Sequence, residues 1–208
     1  MWSRMSNELD RERVAALTAT QRQATVAVLE GLSNTEWQQP TLCEGWTVAD
    51  LAAHLSMSFR VSLPKLLVTM IRERGSFDRA ADRLARRDAA TMGRVELIAA
   101  LRDNITTEWS PPGGDLVDSL CHDVVHGLDL TEGLGLPATA TTPQLEVVLR
   151  TIESRNRMAY FGADLDGCAL QASDIDFRIG DGDTLILPAK AVVLILTGRA
   201  TVHDHRGA

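Results

Sequence analysis

Five histidines are the residues of this 208-residue chain best suited to chemistry, and two of them, His122 and His126, form a His-x-x-x-His pair. Four residues along an α-helix is just over one turn, so both imidazoles leave one face with Cβ atoms about 5–6 Å apart. Ring nitrogens at that spacing can reach one metal ion at about 2.0–2.1 Å. Asp129 lies three residues after His126 and Asp118 four before His122, on that same face. Either carboxylate could accept the free N–H of a ligating imidazole and so orient it. Spacing alone also admits a plainer reading. Leu116, Leu120, Val124, Val125 and Leu128 fill the opposite side of the helix, so the pair would equally suit a solvated polar face. His54, at the edge of a stripe made by Val48, Leu51 and Leu55, reads as a core-edge residue as readily as a ligand.

The other reactive side chains carry less. His203-Asp204-His205 sits in a C-terminal tail. Cys121 borders His122, but one residue is about 100° around a helix, which suits a small buried apolar residue rather than a ligand. Trp46 and Trp109 read as core anchors near helix ends, and Gly180 to Asp183 as a short acidic hairpin turn. Three widely separated cysteines, Cys43, Cys121 and Cys168, make no disulfide framework. A net charge of −7 argues against a general affinity for nucleic acid. Arg72, Arg74, Arg79, Arg83, Arg86 and Arg87 interleave with Glu73, Asp78, Asp82 and Asp88, the pattern of a solvated helix laced with ion pairs. Met1 to Glu12 is polar with both signs of charge, unlike a signal peptide, and no apolar run nears the ~20 residues of a membrane span. A cytoplasmic location is expected.

The elements that must position the histidines are helices. Apolar residues make up 45% of the chain and aromatics only 4%, with Ala, Leu and Val dominant, which packs well between helices. Helices are predicted over 5–31, 47–72, 76–90, 93–109, 115–132 and 143–159. The four main bundle helices are the first, the second, 93–109 and 115–132. Thr47 with Asp50 has the spacing of a capping box, Pro64 should kink or split the second helix, and Asp115 can cap the one bearing the histidine pair. After Phe161 the pattern changes to short strands at 168–173, 175–179 and 184–187, then an apolar helix over 188–198. The expected organisation is a helical bundle over 1–160 with a small α/β lobe over 161–208 docked on it.

Three stretches resemble one family. Leu42-Cys43-Glu44-Gly45-Trp46-Thr47-Val48-Ala49-Asp50-Leu51-Ala52-Ala53-His54-Leu55 is similar to the start of the second helix in the mycothiol-dependent maleylpyruvate isomerase family. His122-Asp123-Val124-Val125-His126-Gly127-Leu128-Asp129-Leu130, followed by Leu134-Gly135-Leu136-Pro137, is similar to its second signature. Gly180 to Arg199 resembles the end of its C-terminal lobe. The resemblance covers nearly the whole chain in the same order. It implies a mainly α fold, a DinB-like four-helix bundle with a small C-terminal α/β lobe, and a metal held by His54, His122 and His126. The position of His122 is typically Glu in that family, so a three-histidine site is a departure that puts the particular isomerase reaction in doubt.

The resemblance further implies a divalent metal, zinc first and nickel or another first-row ion next, with mycothiol as thiol cosubstrate. Arg199 matches an arginine that acts on the substrate carboxylate, a role suited to a bidentate guanidinium. The expected activity is a metal- and thiol-dependent isomerase or S-transferase acting on a small electrophilic substrate, with no nucleic-acid or membrane partner. Monomer and homodimer both stay open. Two other readings stand beside it: a hydrolase using metal-bound water, for which no general base stands out, and a non-enzymatic metal-sensing interaction module.

Overall fold

The computed structural model describes residues 2–206, with side chains from residue 10 onward; Met1 and the last two residues lie outside the described residues, as do the side chains of the polar N-terminal stretch up to Leu9. The chain folds into α1 (Trp2–Gly31), α2 (Val48–Arg60), α3 (Leu63–Arg72), α4 (Phe77–Thr91), α5 (Arg94–Arg102), α6 (Leu116–Gly133), α7 (Thr142–Ser154), α8 (Met158–Phe161), strands β1 (Cys168–Ala172), β2 (Arg178–Ile179) and β3 (Asp183–Leu187), and α9 (Ala189–Leu196). It is mainly helical with a small C-terminal sheet.

Helix α2 starts where the sequence says it must. Thr47 caps it, accepting from the Asp50 backbone N–H at 3.3 Å, while the Asp50 carboxylate accepts from Thr47 N at 2.9 Å. Thr47→Ala should therefore cost about 1 kcal/mol in a urea titration, the usual worth of an N-cap. Pro64 does split the predicted second helix, standing in the first turn of α3. The loop before α2 is tied to α6: Leu42 N donates to the Asp129 carbonyl at 3.1 Å, and a Cβ on Gly133 would meet Thr41 Cα at 2.7 Å. That close approach brings Cys43 and Trp46 alongside the histidine-bearing helix.

Three expectations change. The arginine-rich helix α4 is a bundle member, packed broadly on α2 with Ala80, Ala81, Leu84 and Ala85 buried. Its apolar stripe is mostly alanine and so hides among the charges, of which Arg86–Asp82 and Arg83–Glu73 pair outside while the buried Asp88 pairs with Arg87 and with Arg60 of α2. Helix α5 stops at Arg102 rather than 109, because the Asn104 and Thr107 carbonyls are taken by the Arg22 guanidinium instead of a further helical turn. Helix α7 ends at Ser154, where Asn156 turns left-handed at φ 48°, and α8 follows separately.

The sheet order is β2-β1-β3, with β1 antiparallel to β2 and parallel to β3. Gly180 to Asp183 is accordingly no hairpin turn; it carries the chain from one edge of β1 to the other. Gly182, at φ 99°, lies against the Gly167 carbonyl, where a Cβ would come within 2.1 Å. One apolar core joins α6, α7, β1 and α9 through Leu120, Val124, Leu128, Leu149, Leu170 and Leu196. A second joins α1, α2 and α5 through Leu29, Leu51, Leu97 and Leu101. Helix α6 stands between the two, so its polar face looks along the seam.

Candidate metal centre

His54 on α2 and the His122/His126 pair on α6 meet at that seam. His54 and His126 ring centroids are 4.9 Å apart, those of His122 and His126 4.6 Å, and His54 Nε2 lies 3.0 Å from His122 Nε2. One ligand atom from each of the three falls within 4.8 Å of the others. This is far inside the 10 Å or so beyond which imidazoles could not share an ion.

Two of the rings are held by carboxylates. His126 Nδ1 donates to Asp129 Oδ2 at 2.9 Å, as the three-residue spacing suggested. His122 Nδ1 donates to Asp123 Oδ1 at 3.0 Å. Asp118, expected as an orienting carboxylate, is not hydrogen-bonded to either ring. It closes the capping box of α6 with Asp115 and pairs with Arg155 and Arg157 at 2.7 Å each. Four residues before His122 it lies one turn nearer the helix start, where the orphan N–H groups claim it.

Arg199 grips Asp129 with both arms, Nε to Oδ1 at 2.9 Å and Nη2 to Oδ2 at 3.0 Å, and gives Nη1 to the Thr197 carbonyl at 2.7 Å. Burial would raise the Asp129 carboxyl, but the bonds from His126 and Arg199 outweigh it and hold Asp129 well below the usual range. Asp123, also buried, is likewise held down by His122 and Arg22 against the cost of burial. Burial drives His54 and His126 the other way, below the ordinary histidine value, with the neighbouring imidazoles adding to it.

Those shifts have a consequence for the apo protein. Between the lowered folded values and about 6.5, the unfolded chain binds protons that the folded chain refuses, so stability rises with pH through that window. It is lost as pH falls below about 6.5. The melting temperature of the metal-free protein should drop by a few degrees, roughly, from pH 7 to pH 5. Replacing His54 by Gln should flatten that slope; an unchanged slope would contradict the buried neutral state.

The donor set fits a divalent cation. Three imidazoles converge, burial favours the neutral form of His54 and His126, two rings have the second nitrogen fixed by a carboxylate, and the chemistry suits zinc or another borderline first-row ion. The buried Nδ1 of His54 has no partner, and its Nε2 faces another ring nitrogen. Such crowding of acceptors is relieved when a cation takes the lone pairs.

The residues sequence reasoning missed are Asp123, Arg22 and Cys43. Cys43 Sγ lies 3.0 Å from Asp129 Oδ2 and 3.6 Å from His126 Nδ1, and burial followed by the Asp129 charge pushes its thiol up, away from reactivity. Trp46 and Trp109 prove to be walls of the site, with Trp46 4.9 Å from His54 and Trp109 5.7 Å from His122 between ring centroids. Cys121 lines the same space and is held largely buried. His203 and His205 lie in a short 3-10 turn elsewhere. The histidines open onto a cavity of about 640 Å³, whose lining includes Trp46, Trp109, Val125, Ile152, Arg157 and Arg199.

Comparison with known proteins bears on the fold. Residues 18–111 match the model of the mycothiol maleylpyruvate isomerase N-terminal domain, a stretch that includes His54 but ends before the His122/His126 pair. No curated protein matches the chain closely enough by sequence to count as a relative. The crystal structure of a mycothiol-dependent maleylpyruvate isomerase is similar at 18% identity and a TM-score of 0.53, over 92% of this chain and 90% of that one. A histidine-to-alanine mutant of that enzyme gives 17% identity and 0.54, over 91% and 90%. The resemblance read from the sequence thus finds support: residues 18–111 match the family's N-terminal domain, and the chain as a whole has a fold similar to that of the mycothiol-dependent maleylpyruvate isomerase.

Proposed function

We propose that the chain is a metal- and thiol-dependent enzyme of the isomerase or S-transferase type, using mycothiol and a small electrophilic substrate. The observation that carries this is the convergence of three imidazoles, from two helices, at the wall of a ligand-sized cavity. The family match on the His54 arm supports it.

His54, His122 and His126 would hold the divalent ion. When bound, that ion supplies fixed positive charge that favours a thiolate over a thiol near neutral pH. Asp129 and Asp123 hold their imidazoles with the N–H outward and the lone pair inward. Trp46 and Trp109 exclude water from one end of the cavity, which strengthens charge interactions within it. Arg199 lines the cavity as well as bridging Asp129, and its remaining N–H groups suit a substrate carboxylate.

The chemistry asked of the thiol is simple. For isomerisation, sulfur forms a bond to one carbon of a conjugated double bond while the π pair moves toward the activating carbonyl. Rotation about the resulting single bond and loss of the same thiolate regenerate the alkene in its other geometry. For S-transfer, the carbon–sulfur bond stays and a leaving group departs with its electron pair.

The test uses metal-loaded protein with mycothiol and a cis-configured unsaturated keto acid, followed by ultraviolet absorbance and NMR. Turnover that needs both metal and thiol is expected. Turnover with metal alone would favour metal-bound water as the reagent and overturn the thiol reading.

A further inference from the structure

His122 would serve the proposed centre as an imidazole ligand, and an imidazole ligand has a need that a carboxylate does not. Its second nitrogen must keep its proton and donate that N–H to an acceptor, or the ring can change tautomer and turn its lone pair away. The structure meets that need at the next residue. Asp123 accepts from His122 Nδ1 with Oδ1 at 3.0 Å, and with Oδ2 it takes the Nε of Arg22 at 2.6 Å.

Arg22 is anchored in turn. Its Nη1 donates to the carbonyls of Asn104 at 3.2 Å and Thr107 at 2.7 Å, its Nη2 donates to Ser119 Oγ at 3.1 Å, and its plane lies 5.0 Å from the Phe59 ring. The residue is 6% exposed and Asp123 8%. One guanidinium therefore ties α1, the chain leaving α5, and α6 to a single carboxylate. A buried ion pair is a weak source of stability, since well-packed apolar residues of similar volume commonly do as well or better. What such residues could not do is hold the ring of His122.

The same construction occurs on the other side of the centre, where Arg199 holds Asp129 and Asp129 holds His126. His54 has no counterpart; its Nδ1 has no partner, and the ring rests against Trp46.

We infer that Arg22 and Asp123 are positioning residues for the metal centre: they fix His122 in the Nδ1–H tautomer with its Nε2 facing His54. The inference rests on the metal reading proposed above, but its first consequence is visible without metal.

In metal-free protein, nitrogen-15 NMR of labelled histidine should show His122 in the Nδ1–H form, with that preference lost in Asp123→Asn. Tautomer populations unchanged by the substitution would overturn the inference whether or not the protein binds metal. The second test compares zinc affinity, by chelator competition, in wild type, Asp123→Asn, His122→Glu and the double variant. Asp123→Asn should weaken zinc binding 10–100-fold in wild type, the usual effect of removing a partner of a ligand. In the His122→Glu background, with no imidazole to orient, the same change should alter affinity by less than about threefold. Equal losses in both backgrounds would mean a merely structural pair. Should Asp123→Asn not fold, Arg22→Lys keeps the charge and loses the fork, and should still release the tautomer and weaken zinc binding by several-fold.

Discussion

His126→Ala should lose the metal and a substantial part of the thermal stability in one step. Of the three proposed ligands His126 is the most enclosed, ringed by His54 and His122 and held by Asp129, itself held by Arg199. A ligand that binds only the folded state stabilises it by about 2.7 kcal/mol at a hundred times its dissociation constant. For a chain of this length that is worth roughly 5–10 °C in melting temperature. The metal content of the purified variant, by elemental analysis, should fall from about one ion per chain toward none. Adding a chelator should lower the melting temperature of wild type and leave the variant unmoved. Full occupancy in His126→Ala would remove the centre as described.

Arg199→Ala should be still more damaging to stability, and for a reason independent of metal. The Asp129 side chain is wholly buried, and among the described residues the arginine that pairs with it is Arg199. Breaking a buried pair by removing one member leaves an uncompensated charge, at a cost of about 3–5 kcal/mol. The loss should be read from the urea midpoint at pH 7, with the slope unchanged. Arg199→Lys should lie between, because an ammonium keeps the charge and forfeits the two-armed grip. A cost below about 1 kcal/mol for the alanine variant would mean that Arg199 is free for substrate and does not brace Asp129.

Much of this was legible in the residues, for identifiable reasons. The helix bearing His122 and His126 has a strong cap at Asp115 and an apolar stripe of the right period, so its face and ends could be read directly. Asp129 follows from helical spacing alone. Asp123 does not, because a residue adjacent in sequence points about 100° away on a helix. It reaches His122 only by using the short side chain and the ring's own freedom, with Arg22 arriving from a hundred residues earlier. Nothing in the sequence around Arg22 marks it as buried, and only the fold turns it inward. Asp118 was misread for the converse reason: on spacing it serves His122 as well as any residue, but the helix start and two arginines take it first. Helix α4 was underrated because alanines, not large apolar side chains, make its contact with α2.

Of the account's claims, the central one is that a thiol takes its place at the three-histidine centre, and it is tested most directly by absorbance of the cobalt-substituted protein. Three neutral imidazoles leave the ion its full positive charge, more than a site containing a carboxylate would, so a thiolate should be held tightly there. Titrating mycothiol, or a simpler thiol, into the cobalt form should raise an intense sulfur-to-metal band in the near ultraviolet. The apparent thiol pKa, read from the pH dependence of that band, should lie units below that of the free thiol. His122→Glu should keep the metal and weaken the band's thiol dependence. A cobalt-loaded wild type that shows no such band at millimolar thiol would contradict the account.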